Sequence, residues 1–264
     1  MSPQVWIAAG AVNLVLAGLC FALRLLTPSG CVAGFFIGAL IWGSLGWPGW
    51  LMLLAFFFGG TLATKFQFKK KQQLGVAEPN QGKRKWKQAW ANAGAGVVCA
   101  VASLVCLEKG WDTHAEAWRW AFVACFASAL SDTLSSEFGQ VAGQMPRLIT
   151  TGERVPIGTD GGITRAGTLM GILGAALLSM LGRGVGLTPV RATLPVLMAG
   201  LSGNLLDSYL GATFQRSGRM SNDSVNFANT CGGAALGYLG FWLMLWVPQS
   251  LRDLGLHFLM DLFI

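Results

Sequence analysis

The sequence predicts an all-α, polytopic integral membrane protein with about seven to eight transmembrane helices, several of them short or broken. Three observations carry that reading. Of 264 residues, 53% are hydrophobic and 12% are charged, where globular domains carry roughly 25% charged residues. A soluble domain with so few charges would lack the polar surface to cover itself. Glycine occurs 36 times and tryptophan 11 times, which suits helices packed closely in lipid and anchored by aromatic side chains at the interface. Finally, apolar runs recur along the whole chain. A secreted disulfide module, a disordered protein, a coiled coil and a DNA-binding domain are excluded on the same grounds.

In chain order, the apolar runs fall at about 4–23, 31–46, 47–63, 89–107, 118–132, 167–182, 190–207 and 231–247. Several are shorter than the roughly 20 residues that a straight helix needs to cross hydrocarbon. The first lacks a basic n-region and a small-residue cleavage site, so it reads as a span and not as a signal peptide. No transit peptide is visible. Between the third and fourth runs, residues 64–88 hold Lys65, Lys69, Lys70, Lys71, Lys83, Arg84, Lys85 and Lys87 against Glu78 alone. That one loop therefore carries the entire formal net charge of +7. A basic stretch between apolar spans is the positive-inside signature, which makes this loop cytoplasmic and argues against a nucleic-acid partner.

Counting spans from that loop puts the N-terminus outside, Arg24 inside and the acidic loop 108–117 outside. Arg183 and Arg191 also fall outside, against the charge rule. The segment 249–264 reads as an interfacial C-terminal helix. The whole chain is then a single transmembrane domain, in which the three polar segments 64–88, 132–166 and 207–230 share the cytoplasmic face. A common active site there is the natural expectation.

The six cysteines are scattered with no CxxC pair, and His114 and His257 are isolated, so neither a zinc site nor histidine catalysis is expected. Chemistry falls instead to acids, cations and glycines. Asp132 closes the fifth run and on a helix shares a face with Ser135, Ser136 and Gly139. Glu137 lies about 140° around that helix, so the two acids converge only if the helix breaks. Asp207-Ser208 closes the seventh run as Asp132-Thr133 closes the fifth, an echo that offers one carboxylate from each half. Ionisable groups at span depth are expensive and mark function by default. Two facing carboxylates would bind Mg²⁺ through oxygen, beside substrate phosphates.

The next segment contains Arg147, Thr150, Thr151 and Arg154, then Gly158-Thr159-Asp160-Gly161-Gly162, and Thr164 just before the sixth run. Its glycines allow close backbone approach to an anion, and a helix N-terminus capped by Thr164 or Thr168 would favour phosphate. Asn222, Asn226 and Asn229 form one stripe on the last helix, placed to recognise a base or to hold a metal's water shell.

The combination and order of these residues resemble the phytyl-phosphate kinase family, membrane proteins related to the phytol and dolichol kinases. The resemblance rests on Ala63-Thr64-Lys65-Phe66 with Lys69 to Lys71 and Leu74-Gly75, and on Ser131-Asp132-Thr133 with Ser136-Glu137 and Gly139. It continues through Pro146-Arg147, Ile149-Thr150, Val155-Pro156, Gly158 to Gly162, and Asn222-Asp223 with Asn226. It covers roughly residues 30–240, and Asp160 stands where serine would be equally expected. It implies transfer of a γ-phosphoryl group from a nucleoside triphosphate, CTP above all, to an isoprenoid monophosphate such as phytyl phosphate, in tocopherol-type lipid metabolism. The implied cofactor is Mg²⁺, the implied metal ligands are Asp132, Asp207 and Asp223, and Lys65 joins Asp132, Glu137 and Asp207 in catalysis. The lipid bilayer is the remaining partner, and a homodimer is left open. A plasma, inner or thylakoid-type membrane would host it, with the site facing the cytoplasm. A cytidylyltransferase, a prenol kinase or a transporter are the other readings.

Overall fold

The computed structural model describes residues 2–247, so the expected interfacial helix at 249–264 lies outside the described residues. Among the described residues eight α-helices follow one another: α1 (Pro3–Ala22), α2 (Pro28–Lys65), α3 (Phe68–Gln73), α4 (Trp86–Glu108), α5 (Asp112–Val141), α6 (Arg165–Gly184), α7 (Thr193–Leu210) and α8 (Asn222–Trp246). By length and composition α1, α2, α4 and α6 are each apolar enough to cross a membrane. The all-α expectation has one small exception, a two-stranded antiparallel ribbon of β1 (Arg147–Leu148) and β2 (Gly162–Ile163) before α6.

At 38 residues α2 would be about 57 Å long if straight, nearly twice the hydrocarbon thickness. It is not straight. Gly46 breaks it with φ 70°, ψ −165°, two residues before Pro48. The limbs fold back on each other, because both limbs of α2 reach the same residue. The Thr27 N–H at its start donates to the Arg84 carbonyl at 3.2 Å, and on the second limb Phe56 lies 5.2 Å beneath the Arg84 guanidinium, with Gly60 one turn further on against Arg84 Nη2. The expected boundary between the second and third runs is therefore a hairpin tip, with the Trp42 and Trp50 rings 4.8 Å apart beside it.

The centre of the molecule is α5. Every residue from Trp120 to Ser131 is buried, surrounded by α2, α4, α6, α7 and α8. Facing protein on all sides, it needs no lipid-compatible surface, which explains why a central helix has modest hydropathy. The surrounding helices approach through glycines. In α6 a β-carbon on Gly167 would lie 2.5 Å from the Ser135 carbonyl oxygen, and one on Gly174 would lie 3.0 Å from that of Leu130. In α7 Gly200 meets the backbone at Ala127, and in α8 Gly233 and Gly237 meet Ala124 and Trp120. Small residues at such crossings let backbones touch, and dispersion and polar contacts then hold helices that gain nothing from a hydrophobic effect in lipid.

The sequence left Glu137 free to meet Asp132 if the helix broke there. It does not break: α5 runs on to Val141, and Glu137 meets Lys71 instead. Lys71 Nζ lies 2.5 Å from Glu137 Oε2 and also donates to the Ala63 and Thr64 carbonyls at 2.8 and 3.2 Å. All three ammonium hydrogens find acceptors, so this fully buried lysine ties the last turn of α2 to α5. At the other end of the bundle Arg191 pairs with Glu116 at 2.9 Å. Glu116, which the sequence put in the loop 108–117, stands instead on the second turn of α5 and neutralises one of the arginines that ran against the charge rule.

Two outcomes test this packing. Gly237→Leu forces α8 away from α5 and should cost about 1–3 kcal/mol, read as a lower melting midpoint in detergent. Gly18→Ala, which has no neighbour within 4 Å, should leave the midpoint unchanged, and equal effects would refute the close approach. Lys71→Met strands the buried Glu137 carboxylate and should cost about 3–5 kcal/mol. Lys71→Met combined with Glu137→Gln should recover much of that loss, and failure to recover would show that the pair is not what the lysine stabilises.

Candidate active site

A cavity of about 370 Å³ opens at the end of the bundle where α5 and α7 finish and α6 and α8 begin. Residues from all three polar segments (64–88, 132–166 and 207–230) line it, including Thr64, Glu78 and Arg84 from the basic loop. Of the residues singled out by sequence, Asp132, Glu137, Asp207, Asn222, Asn226 and Thr164 face it, as does the run from Gly158 to Gly162. Lys65, Arg147, Thr150, Thr151, Arg154 and Asp223 are not part of its wall. Lys65, Thr150, Thr151 and Arg154 are exposed. Arg147 is spent on its own hairpin, donating to the Gly152 carbonyl at 2.8 Å.

The carboxyl groups of Asp132, on α5, and Asp207, one turn before the end of α7, face each other and interact directly. What brings them together is the α5–α7 crossing, where Gly200 and Gly203 leave no room for a β-carbon between the helices. Asn204 fastens the same crossing, its amide donating to Ser131 Oγ at 2.9 Å and its carbonyl oxygen accepting from Ser135 Oγ at 3.2 Å. Asp207 Oδ2 is buried with no hydrogen-bond partner. Two carboxyl groups held together, one with an unused oxygen lone pair, form a donor set that fits a divalent cation, whose charge would offset their mutual repulsion on ionisation. Asp223 does not complete it. Among the described residues no three acid, histidine or cysteine side chains cluster, so a cation here would take its remaining ligands from water and substrate oxygens, as Mg²⁺ ordinarily does in nucleotide enzymes.

After α7 the chain makes a π-helical turn, Gly211–Gln215, a distortion often found at functional sites. The glycine loop packs straight onto it. At Gly161 φ is +75°, and a β-carbon would fall 2.4–2.6 Å from Ala212. Glycine is thus required at 161 by backbone conformation and by packing, whatever the loop binds. Part of the loop's N–H complement is spent internally, since Thr159 N donates to the Pro156 carbonyl and Gly162 N to that of Thr159. The cradle expected from the sequence is therefore narrower than the full run of N–H groups. Partial desolvation at the cavity edge pushes the Asp160 carboxyl above its ordinary range, against the pull of Arg216 and a hydrogen bond with Gln215.

Thr164 caps α6, its Oγ1 accepting from Gly167 N at 3.0 Å, so the positive end of a 20-residue helix points at the cavity. The asparagine stripe splits by depth. Asn222 and Asn226 face the cavity, while Asn229 is fully buried and its side-chain oxygen accepts from Ser128.

Sequence reasoning missed Lys71, Glu78, Arg84 and Asn204. Lys71 and Arg84 sit inside basic runs whose charge serves topology equally well, so nothing local marks which cation turns inward. Asn204 had a usable signal, being a polar residue within an apolar run, three positions before Asp207 and hence on its face. Burial, reinforced by Glu137, raises the Glu78 carboxyl above its usual range against the attraction of Arg84.

The comparisons agree with this architecture. Residues 11–234 match the family model described as Integral membrane protein DUF92. The chain is 36% identical to the uncharacterized membrane protein sll0875 of Synechocystis sp. over 235 residues, covering 88% of this chain and 89% of that one. It is also 36% identical to Protein VTE6, chloroplastic, of Arabidopsis thaliana over 250 residues, covering 92% of this chain and 74% of that one. With the uncharacterized membrane protein MJ0933 of Methanocaldococcus jannaschii it shares 33% over 228 residues, 85% and 90% of the two chains. No solved structure matches. With a family model spanning most of the chain and relatives matched over most of their length, this protein belongs to the DUF92 family of integral membrane proteins.

Proposed function

We propose that this protein is a membrane-embedded lipid-phosphate kinase, transferring the γ-phosphoryl group of a nucleoside triphosphate to an isoprenoid monophosphate. One observation carries the reading: two carboxylates from different helices meet, one oxygen unpartnered, in a polar cavity at the N-terminus of α6. The kinase-like order of sequence motifs and the matching membrane relatives support it.

An oxygen of the acceptor phosphate attacks the γ-phosphorus. A new P–O bond forms, the bond to the β–γ bridging oxygen breaks, and its electron pair leaves on the nucleoside diphosphate. The acceptor phosphate has a second pKa near 6, so at neutral pH it is already a nucleophilic oxyanion. No histidine or other strong base is needed for that attack. The work left to the protein is positioning and charge neutralisation. Asp132 and Asp207 would hold Mg²⁺, which would supply positive charge to offset that of the converging phosphates. The start of α6 faces the triphosphate with its dipole. The N–H groups of the glycine loop that are not used in its own turns supply further donors, and Asn222 and Asn226 offer amides to a base such as cytosine. The site opens to the cytoplasm, where nucleotide is available.

A nucleotidyl transfer would use the same groups and attack the α-phosphorus instead. Mass analysis of products separates them, since a kinase releases nucleoside diphosphate and a nucleotidyltransferase releases pyrophosphate. Release of pyrophosphate by the purified protein would overturn the kinase reading. Asp132→Asn and Asp207→Asn should each lower turnover at least about a hundredfold at saturating Mg²⁺ with the melting midpoint retained. Near-wild-type turnover in either would remove that residue from the cation site. In intact cells, single cysteines at positions 80 and 160 should resist an impermeant thiol reagent added outside, and labelling there would reverse the proposed orientation.

A further inference from the structure

Arg84 is half-buried and lines two cavities at once. On one side is the polar cavity described above. On the other is an apolar groove of about 70 Å³ between α1, both limbs of α2 and the start of α4, walled by Leu16, Cys20, Gly34, Ile37, Leu53 and Phe57 among others. The guanidinium is held in place without being used. It lies over the Phe56 ring at 5.2 Å, in space kept open by Gly60, where a β-carbon would come within 2.6 Å of Arg84 Nη2. Its backbone is anchored, the carbonyl accepting from Thr27 N and from Thr27 Oγ1 at 3.2 and 3.3 Å. Asp132, Glu78 and Glu137 attract it from a distance, but none of the ion pairs within 4 Å among the described residues involves it. Five N–H donors are therefore presented, at the junction of polar and apolar space, without an acceptor among the described residues.

We propose that Arg84 and this groove form the acceptor subsite. The guanidinium grips the lipid monophosphate, and the groove takes the first five-carbon unit of its isoprenoid tail. The assignment rests on the kinase reading for its reaction, but not for its ligand. Arginine is the cation whose planar fork matches phosphate oxygens two at a time, and a phosphate bound there is turned towards Asp132. The groove volume corresponds to roughly five water-sized spheres, the scale of one isoprene unit and far less than a whole tail. The remaining tail leaves along α1, whose Leu14, Val15, Leu19 and Phe21 are exposed to lipid. The junction therefore selects a molecule that is anionic at one end and branched-apolar immediately beside it. Among candidate ligands, a nucleotide lacks the apolar half and an uncharged prenol lacks the other.

The probe is phytyl monophosphate carrying a diazirine on its first isoprene unit, irradiated with the full-length protein in detergent and mapped by peptide mass. Labelling should fall within 13–37 or 53–57 and be competed by phytyl monophosphate, but by neither phytol nor inorganic phosphate. Arg84→Gln should abolish the labelling and raise the acceptor KM about tenfold to a hundredfold, with the nucleotide KM changed less than about threefold and partial recovery in Arg84→Lys. Gly34→Phe leaves Arg84 intact and fills the groove, since a β-carbon at 34 meets only Leu26 at an ordinary 3.6 Å. It should suppress labelling even if Arg84→Gln fails to fold. Labelling confined to α6–α8, competition by phytol alone, or an Arg84→Gln effect on nucleotide KM would each overturn the subsite while leaving the kinase reading standing. Phosphate-dependent labelling of α1 and α2 without turnover of any acceptor would do the reverse, supporting the subsite and overturning the kinase.

Discussion

The approach of three helix backbones onto α5 is the constraint on which everything else depends. In lipid, helices gain little from burying apolar side chains, so association relies on dispersion and on polar contacts that work only at short range. The glycines of α6, α7 and α8 meet α5 where a β-carbon would collide with backbone or side-chain atoms. The carboxylates of Asp132 and Asp207 are short side chains, and they reach each other only because their helices do. Fold stability and the spacing of the acidic pair are thus set by the same glycines.

The cations near the cavity divide into two kinds. Lys71 is consumed by the structure, its three donors shared between Glu137 and the end of α2. Arg84 is positioned by the Phe56 ring beneath its guanidinium and by its anchored backbone carbonyl, and keeps its donors. Once Lys71 has neutralised Glu137, the wall still sets Glu78, Asp132, Asp160 and Asp207 against Lys83 and Arg84, so a highly charged anion is better accommodated together with a cation. That is the electrostatic situation of a metal–nucleotide complex, whose net charge is lower than that of the free triphosphate.

Much of this was legible beforehand. Hydropathy and the confinement of net charge to one loop marked out the helical membrane architecture, and the apolar runs divide between residues 46 and 47, at the break in α2. The Asp132 and Asp207 echo pointed to two residues that the fold brings together, because both lie at the end of an apolar run. The cations were less legible. Lys71 and Arg84 each sit beside other basic residues, and the inward turn of one depends on where α5 and α2 pass, which is a tertiary fact. Lys65 and Arg154 share that ambiguity and turn outward. The glycine loop was legible as a tight approach, but its partner is the π-helical turn after α7, a distant segment that no local pattern indicates.

The hairpin in α2 has a consequence for how such a chain can be inserted. Both of its limbs return to Arg84, so a hairpin of this kind leaves the bilayer by the face through which it came in. Parity is therefore conserved across residues 28–65, at any depth to which the tip at Gly46 penetrates. Whatever side the lysine-rich loop takes is passed unchanged to the end of α1, where Arg24 lies, and the hairpin can slide, tilt or shorten without inverting any helix that follows it. Lengthening or trimming the limbs is then open to adjustment for bilayer thickness, with α5 and its acidic pair keeping their sidedness throughout.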